Sequence, residues 1–185
     1  MPLPGYSKGM EPLLDLRHEQ LNLLIAPRAF GNRLMTACIA RLALAGPVRV
    51  LDGGNLFDVL TIARSIRRQT ASLEAVLKRV AVARAFTCYQ MAVMLAQQAD
   101  GPTPVLILDL LSTYYDESVP LAARLRLLGQ SVVQLQRLSR QAPLAVSTTP
   151  PPAGQPGDLL SRLEAAAGRV WHFELPVEPQ QPRLF

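Results

Sequence analysis

Apolar residues along the chain fall into short unbroken runs that alternate with longer stretches in which they recur every three or four positions. The run at 20–25 reads as a buried strand, and those at 48–52, 80–84, 105–109 and 144–148 as further strands. Between them, helical spacing predicts helices over 34–45, 56–69, 87–99 and 121–141. Stop signals agree with this division: Gly46-Pro47 follows the first helix, Gly53-Gly54 the second strand, and Asp100-Gly101-Pro102 the third helix.

A turn-rich loop at 149–157 follows, then a helix over 159–167 with Asp158 as its cap, and one more strand over 170–175. Strand and helix alternate throughout, so the expected fold class is α/β: a mostly parallel sheet flanked by helices in three layers, with right-handed crossovers. Residues 1–175 are expected to form a single domain, and residues 176–185, with three prolines, a flexible Pro-rich tail.

With 185 residues, 49% of them apolar and 18% charged, the chain has enough apolar side chains for a core of its own. No run of eighteen apolar residues is present, and the first residues lack the pattern of a signal peptide, so a cytoplasmic protein without membrane contact is expected. Cys38 and Cys88 lie in apolar contexts with no third Cys or His nearby, which predicts two buried thiols and no metal site. The net charge of +5 leans toward polyanionic partners without choosing among them.

The stretch Ile-Ala-Pro-Arg-Ala-Phe-Gly-Asn-Arg at 25–33 sits after the first strand and before the first helix, where a phosphate-binding loop lies in nucleotide-binding α/β proteins. It is joined by an Asp52-Gly53-Gly54-Asn55-Leu56-Phe57 turn, by the Val82-Ala83-Arg84-Ala85-Phe86-Thr87 junction, and by the strand that ends at Asp109. In this order and spacing, over about residues 5–149, these segments resemble the RecA-type ATPase core of the archaeal and eukaryotic recombinases and their paralogues. The resemblance implies a RecA-like three-layer fold with a degenerate phosphate loop.

It also implies a disabled site. Ala26 stands at the first glycine of the loop pattern, Gly31 is retained, Asn32 replaces the lysine and Arg33 the magnesium-binding Ser or Thr. A guanidinium has no lone pair for a metal. The family's catalytic glutamate aligns with Gly54, which cannot act as a base. Arg28, Gly31, Asn32, Arg33 and Asp109 are therefore expected to form a vestigial nucleotide site in a pseudo-ATPase, with no cofactor required and residual ATP or magnesium binding not expected.

The segments matching the family's two DNA loops, 112–118 and 149–157, carry no Lys or Arg. Tyr114 and Tyr115 are expected to pack on the sheet rather than stack on bases. Arg64, Arg67 and Arg68 are the candidate DNA contacts, against the alternative of an ordinary solvated helix face. The chain ends Gln181-Pro182-Arg183-Leu184-Phe185, similar to the short peptide by which bacterial polymerases and repair factors engage the replication sliding clamp. In that likeness Leu184 and Phe185 fill an apolar pocket and Gln181 hydrogen-bonds beside it.

Taken together these features predict a non-catalytic accessory protein of DNA repair or damage tolerance. Its expected partners are the sliding clamp and a recombinase or translesion polymerase complex, and SulA-like and ImuA-like proteins are its functional analogues. Two alternatives stand beside it: a nucleotide-binding regulator or weak ATPase with an altered phosphate loop, and a single-stranded DNA-binding protein.

Overall fold

A computed structural model describes residues 16, 19–155 and 157–174. In chain order the elements are β1 (Leu21–Ile25), α1 (Arg28–Ala45), β2 (Val48–Asp52), α2 (Val59–Arg67), α3 (Leu73–Leu77), β3 (Val80–Arg84), α4 (Cys88–Ala96) and β4 (Val105–Leu108). A 3-10 turn at Leu110–Tyr114 leads into α5 (Leu121–Ser139), β5 (Leu144–Thr148), α6 (Asp158–Ala166) and β6 (Arg169–His172). The strands form one sheet in the order β3-β2-β4-β5-β1-β6, and every pairing is parallel.

This order follows from the handedness of the crossovers. The connections from β1 to β2 and from β2 to β3 run toward the β3 edge; those from β3 through β4 and β5 to β6 run toward the β6 edge. Right-handed crossovers in opposite directions place their helices on opposite faces. Accordingly Met35 and Ile39 of α1, Ile66 of α2 and Val76 of α3 share one core cluster with Val50, Leu106 and Leu108. Met91 of α4, Leu128 of α5 and Leu163 of α6 share the other with Leu23, Ile107 and Val146. The central strands β1, β4 and β5 are buried along their whole length, as a sheet covered on both faces requires.

Helix starts are set by local chemistry. The Asp58 carboxylate accepts the Leu60 N–H at 2.9 Å and fixes the beginning of α2, and the Thr87 hydroxyl accepts the Gln90 N–H at 3.2 Å before α4. Several bounds differ from the sequence expectation. Asp158 is the first residue of α6, not its cap; α2 starts three residues later than predicted; and α3 falls in a stretch for which no element was predicted.

The largest difference is at α1. The helix starts at Arg28, not at 34, so only Ala26 and Pro27 separate β1 from α1. Proline's fixed φ and missing N–H suit it to a helix entrance, and Pro27 stands there with φ −54°. The stretch expected to be a degenerate phosphate loop is helix from its fourth residue onward.

Candidate functional site: the crevice at the strand ends

In a parallel sheet, ligands meet the protein where neighbouring strands send their connections to opposite faces. Three such points exist here, between β3 and β2, between β2 and β4 and between β5 and β1; the last two flank the centre of the sheet. The residues at their carboxyl ends are Asp52-Gly53-Gly54, Asp109, Thr148-Thr149 and Ala26-Pro27-Arg28. These segments form the crevice, and the chain's own groups fill it.

Asp52 is fully buried. Its two carboxylate oxygens accept the Leu56 N–H at 2.9 Å, the Phe57 N–H at 3.0 Å and the Arg84 Nε–H at 3.1 Å. The following turn folds back over its own aspartate, with Asn55 in the left-handed region at φ 54°. Asp52 is thus a turn former and the partner of Arg84, with its acceptor positions taken up by protein donors.

Asp109 follows β4 in left-handed backbone, φ 49°. Its N–H donates to Ser147 Oγ at 3.0 Å, and its Oδ1 accepts the Thr149 N–H at 3.3 Å and the Thr149 hydroxyl at 3.5 Å. Burial pushes its carboxyl above the ordinary aspartate value, and nearby Asp52 adds to the rise; the Thr149 bonds and the Arg28 guanidinium oppose it.

The two glycines of the β2 turn lie directly on Asp109. A Cβ on Gly54 would come within 2.6 Å of Asp109 Cβ and 2.9 Å of its Oδ2. One on Gly53 would come within 2.9 Å of both the Asp109 carbonyl oxygen and Met91 Cε. Gly54, the position expected to align with a catalytic glutamate, therefore has no room for a side chain. Arg28 completes the closure, its Nη2 donating to the Gly54 carbonyl oxygen.

Of the predicted nucleotide-site residues, the fold brings Arg28 and Asp109 to the crevice and carries the others down α1. The Gly31 N–H donates to Pro27 O at 2.9 Å, a helical bond that removes it as a phosphate donor, and a Cβ here would lie 3.4 Å from Ala26 Cβ. Arg33 is exposed and lies 5.5 Å over the Phe30 ring. Asn32 Oδ1 is enclosed with no hydrogen-bond partner among the described residues. The helix thus begins inside the stretch expected to be a loop and takes the Gly31 N–H into its ladder, while the N–H groups of Arg28 and Ala29 belong to its first turn and have no acceptor within the helix.

Arg64, Arg67 and Arg68 are exposed at the end of α2, on the α1 side of the sheet and away from the crevice; among the described residues none forms an ion pair. Two further cations nearby have partners: Arg79 donates to the Ala43 and Leu44 carbonyls at the end of α1, and Lys78 forms an exposed ion pair with Glu74.

The segment 112–118, expected to be a loop, begins inside the 3-10 turn. Tyr114 is fully buried with its hydroxyl 2.6 Å from Ser131 Oγ, packed as expected and closed to bases. The Tyr115 hydroxyl is enclosed as well, and burial pushes it up to about 12. Gln181, Leu184 and Phe185 lie outside the described residues.

Among the described residues no three His, Cys, Asp or Glu side chains gather as a metal would need, and no helix is long and apolar enough to cross a membrane. No protein-family model and no curated protein matches the chain.

Proposed function

We propose that the chain is a non-catalytic, RecA-like accessory protein of DNA repair or damage tolerance that works through protein contacts. The observation that carries this reading is the filled crevice. Arg28 and the first turn of α1 take the place of a phosphate loop, and Gly54 lies against Asp109 where a catalytic base would have to stand. A site of this kind holds its own side chains in place of a substrate.

The surface supports the second half of the reading. At the β3 edge and on the outer side of α4, Val82, Phe86, Tyr89 and Val93 are 41%, 71%, 48% and 52% exposed. Exposed apolar side chains that follow one another at a sheet edge are characteristic of protein contact surfaces. In this reading the terminal Gln181, Leu184 and Phe185 tether the domain to the replication sliding clamp, and the domain presents its surface to a recombinase or a translesion polymerase complex.

The test is a calorimetric titration of a bacterial sliding clamp with the full chain and with a Leu184→Ala/Phe185→Ala variant. Saturable binding by the former and none by the latter is expected. Absence of binding by the full chain at tens of micromolar clamp would remove the tether from the proposal.

A further inference from the structure

The β6 edge carries an arrangement that the crevice does not involve. Arg169 and Trp171 register with Asn22 and Leu24 of β1, so they face the same side of the sheet as α1. Phe173 continues the alternation, its N–H donating to Ile25 O at 2.9 Å. The Phe173 ring meets the Phe30 ring of α1 with centroids 5.0 Å apart and planes tilted by 47°. At one end Arg169 lies 4.5 Å over the Trp171 ring; at the other, Arg33 lies 5.5 Å over Phe30. Two segments far apart in sequence thus build one row: Arg169, Trp171, Phe173, Phe30, Arg33.

All three rings are partly exposed, and all pack from beneath against the core on the α1 side, which holds them in place. Among the described residues, the charged side chains that α1 and this face of β6 contribute are of one sign. α1 contributes Arg28, Arg33 and Arg41 and contains no Asp or Glu. Among the described residues no carboxylate pairs with Arg33, Arg41 or Arg169, and Arg169 Nη1 is enclosed without a hydrogen-bond partner. The nearest acids along β6 belong to the other face: Glu164 pairs with His172 at 2.8 Å, and Glu174 follows the same alternation.

Cation–π stacking places both guanidinium groups on the rings but leaves them without a carboxylate partner among the described residues, and a ligand with flat apolar faces and a string of anions uses every part of the row. Bases stack on aromatic rings and on guanidinium planes, and phosphates pair with arginine. Side chains on one face of a strand recur about every 6.7 Å, about twice the 3.4 Å rise per nucleotide of a stacked strand. The β6 leg of the row, Arg169 to Phe173, therefore fits an extended chain, and the α1 leg from Phe30 to Arg33 runs back beside it. We propose that the row from Arg169 to Arg33 is a stacking platform for single-stranded nucleic acid, with its phosphates running along Arg33 and Arg41 of α1. The site shares no residue with the crevice or with the carboxyl-terminal peptide, and it stands or falls independently of the proposed function.

Trp171 is the only tryptophan in the chain, so the site carries its own reporter. The full-length protein is titrated with labelled oligo-dT at low salt, following Trp fluorescence and label anisotropy together. Expected are a quenched Trp signal that saturates with the anisotropy and a log-affinity against log-salt slope of about −2 for three neutralised phosphates. Trp171→Ala is expected to weaken binding about five- to 150-fold, the effect of losing one stacked base, while Trp171→Phe retains it.

Arg169→Gln is expected to weaken binding at least fivefold, and the exposed Arg33→Ala to flatten the salt slope by about 0.7. These two variants decide the matter if Trp171→Ala does not fold. The proposal is overturned if oligo-dT does not bind at tens of micromolar protein, if Arg169→Gln and Arg33→Ala bind as the parent does, or if duplex DNA or heparin competes as well as oligo-dT. The last result would mean a surface that reads charge alone.

Discussion

Replacing Gly54 by alanine adds one methyl group at the point where the β2 turn lies on Asp109. Gly54 is buried and has no positive φ, so the backbone accepts alanine and the cost is steric. The new Cβ would stand 2.6 Å from Asp109 Cβ, 2.9 Å from its Oδ2 and 3.1 Å from Leu56 Cγ. Two of these atoms belong to a residue whose backbone N–H and carboxylate are tied to Ser147 and Thr149, so it cannot simply move away.

Overpacking of this kind costs about 1–3 kcal/mol, and the stiffer unfolded chain returns about 0.4–1 kcal/mol. The net loss is about 1–2 kcal/mol, which for a chain of this size lowers Tm by about 2–8 °C. Urea and thermal unfolding of Gly54→Ala measure it. Asp109→Gly removes the opposing Cβ and tolerates φ 49°, so in that background the Gly54→Ala penalty should shrink by about 0.5 kcal/mol or more. A Gly54→Ala protein as stable as its parent, or a penalty unchanged in the Asp109→Gly background, would refute the close packing from which the closed crevice is argued.

Further outcomes follow from the same contacts. Burial raises the Asp109 carboxyl above its ordinary value of 3.8, so the native state keeps that proton to higher pH than the unfolded chain. Its contribution to stability is therefore lost as pH rises through the folded-state value. Relative to the parent, Asp109→Asn should gain stability between acid and neutral pH; urea midpoints at both ends of that range check it. Asp52→Ala leaves two backbone N–H groups and Arg84 without their acceptor and should cost about 2–4 kcal/mol in urea unfolding. Arg84→Ala should cost about 1 kcal/mol or less, because the Arg84 side chain is 37% exposed. Cys38 is buried with its thiol pushed up to about 11, and Cys88 is buried and raised as well. Neither should react with a thiol reagent at mildly alkaline pH until urea unfolds the chain, as a spectroscopic thiol count would record.

How far the sequence carried this description depended on the range of the forces involved. The strands at 48–52, 80–84 and 144–148 match the expectation residue for residue, because each is a short, mainly apolar run with β-branched residues, although β3, at the sheet edge, is largely exposed. The start of α1 was misread because Gly31 and Asn32 look like turn residues. Pro27 is the local sign of the earlier start. The losses at Asn32, Arg33 and Gly54 were legible from residue type, since each lacks a chemical group. The way Arg28, Gly53, Gly54 and Thr149 close over Asp109 was not, since it arises from contacts between segments far apart in the chain. The row at β6 was hidden for the same reason: Phe30 and Phe173 meet only once β6 has been added beside β1.

Whether the chain itself occupies the crevice is read most directly by calorimetry and thermal unfolding with magnesium and ATP. A ligand at 100 times its Kd stabilises the folded state by about 2.7 kcal/mol, equivalent here to a rise in Tm of about 5–11 °C. With Arg28 on the Gly54 carbonyl and the Gly31 N–H inside the helix, no binding heat and no shift are expected at millimolar ATP. A saturable rise in Tm that Arg28→Ala or Asp109→Ala abolishes would contradict this and restore the crevice as a nucleotide site.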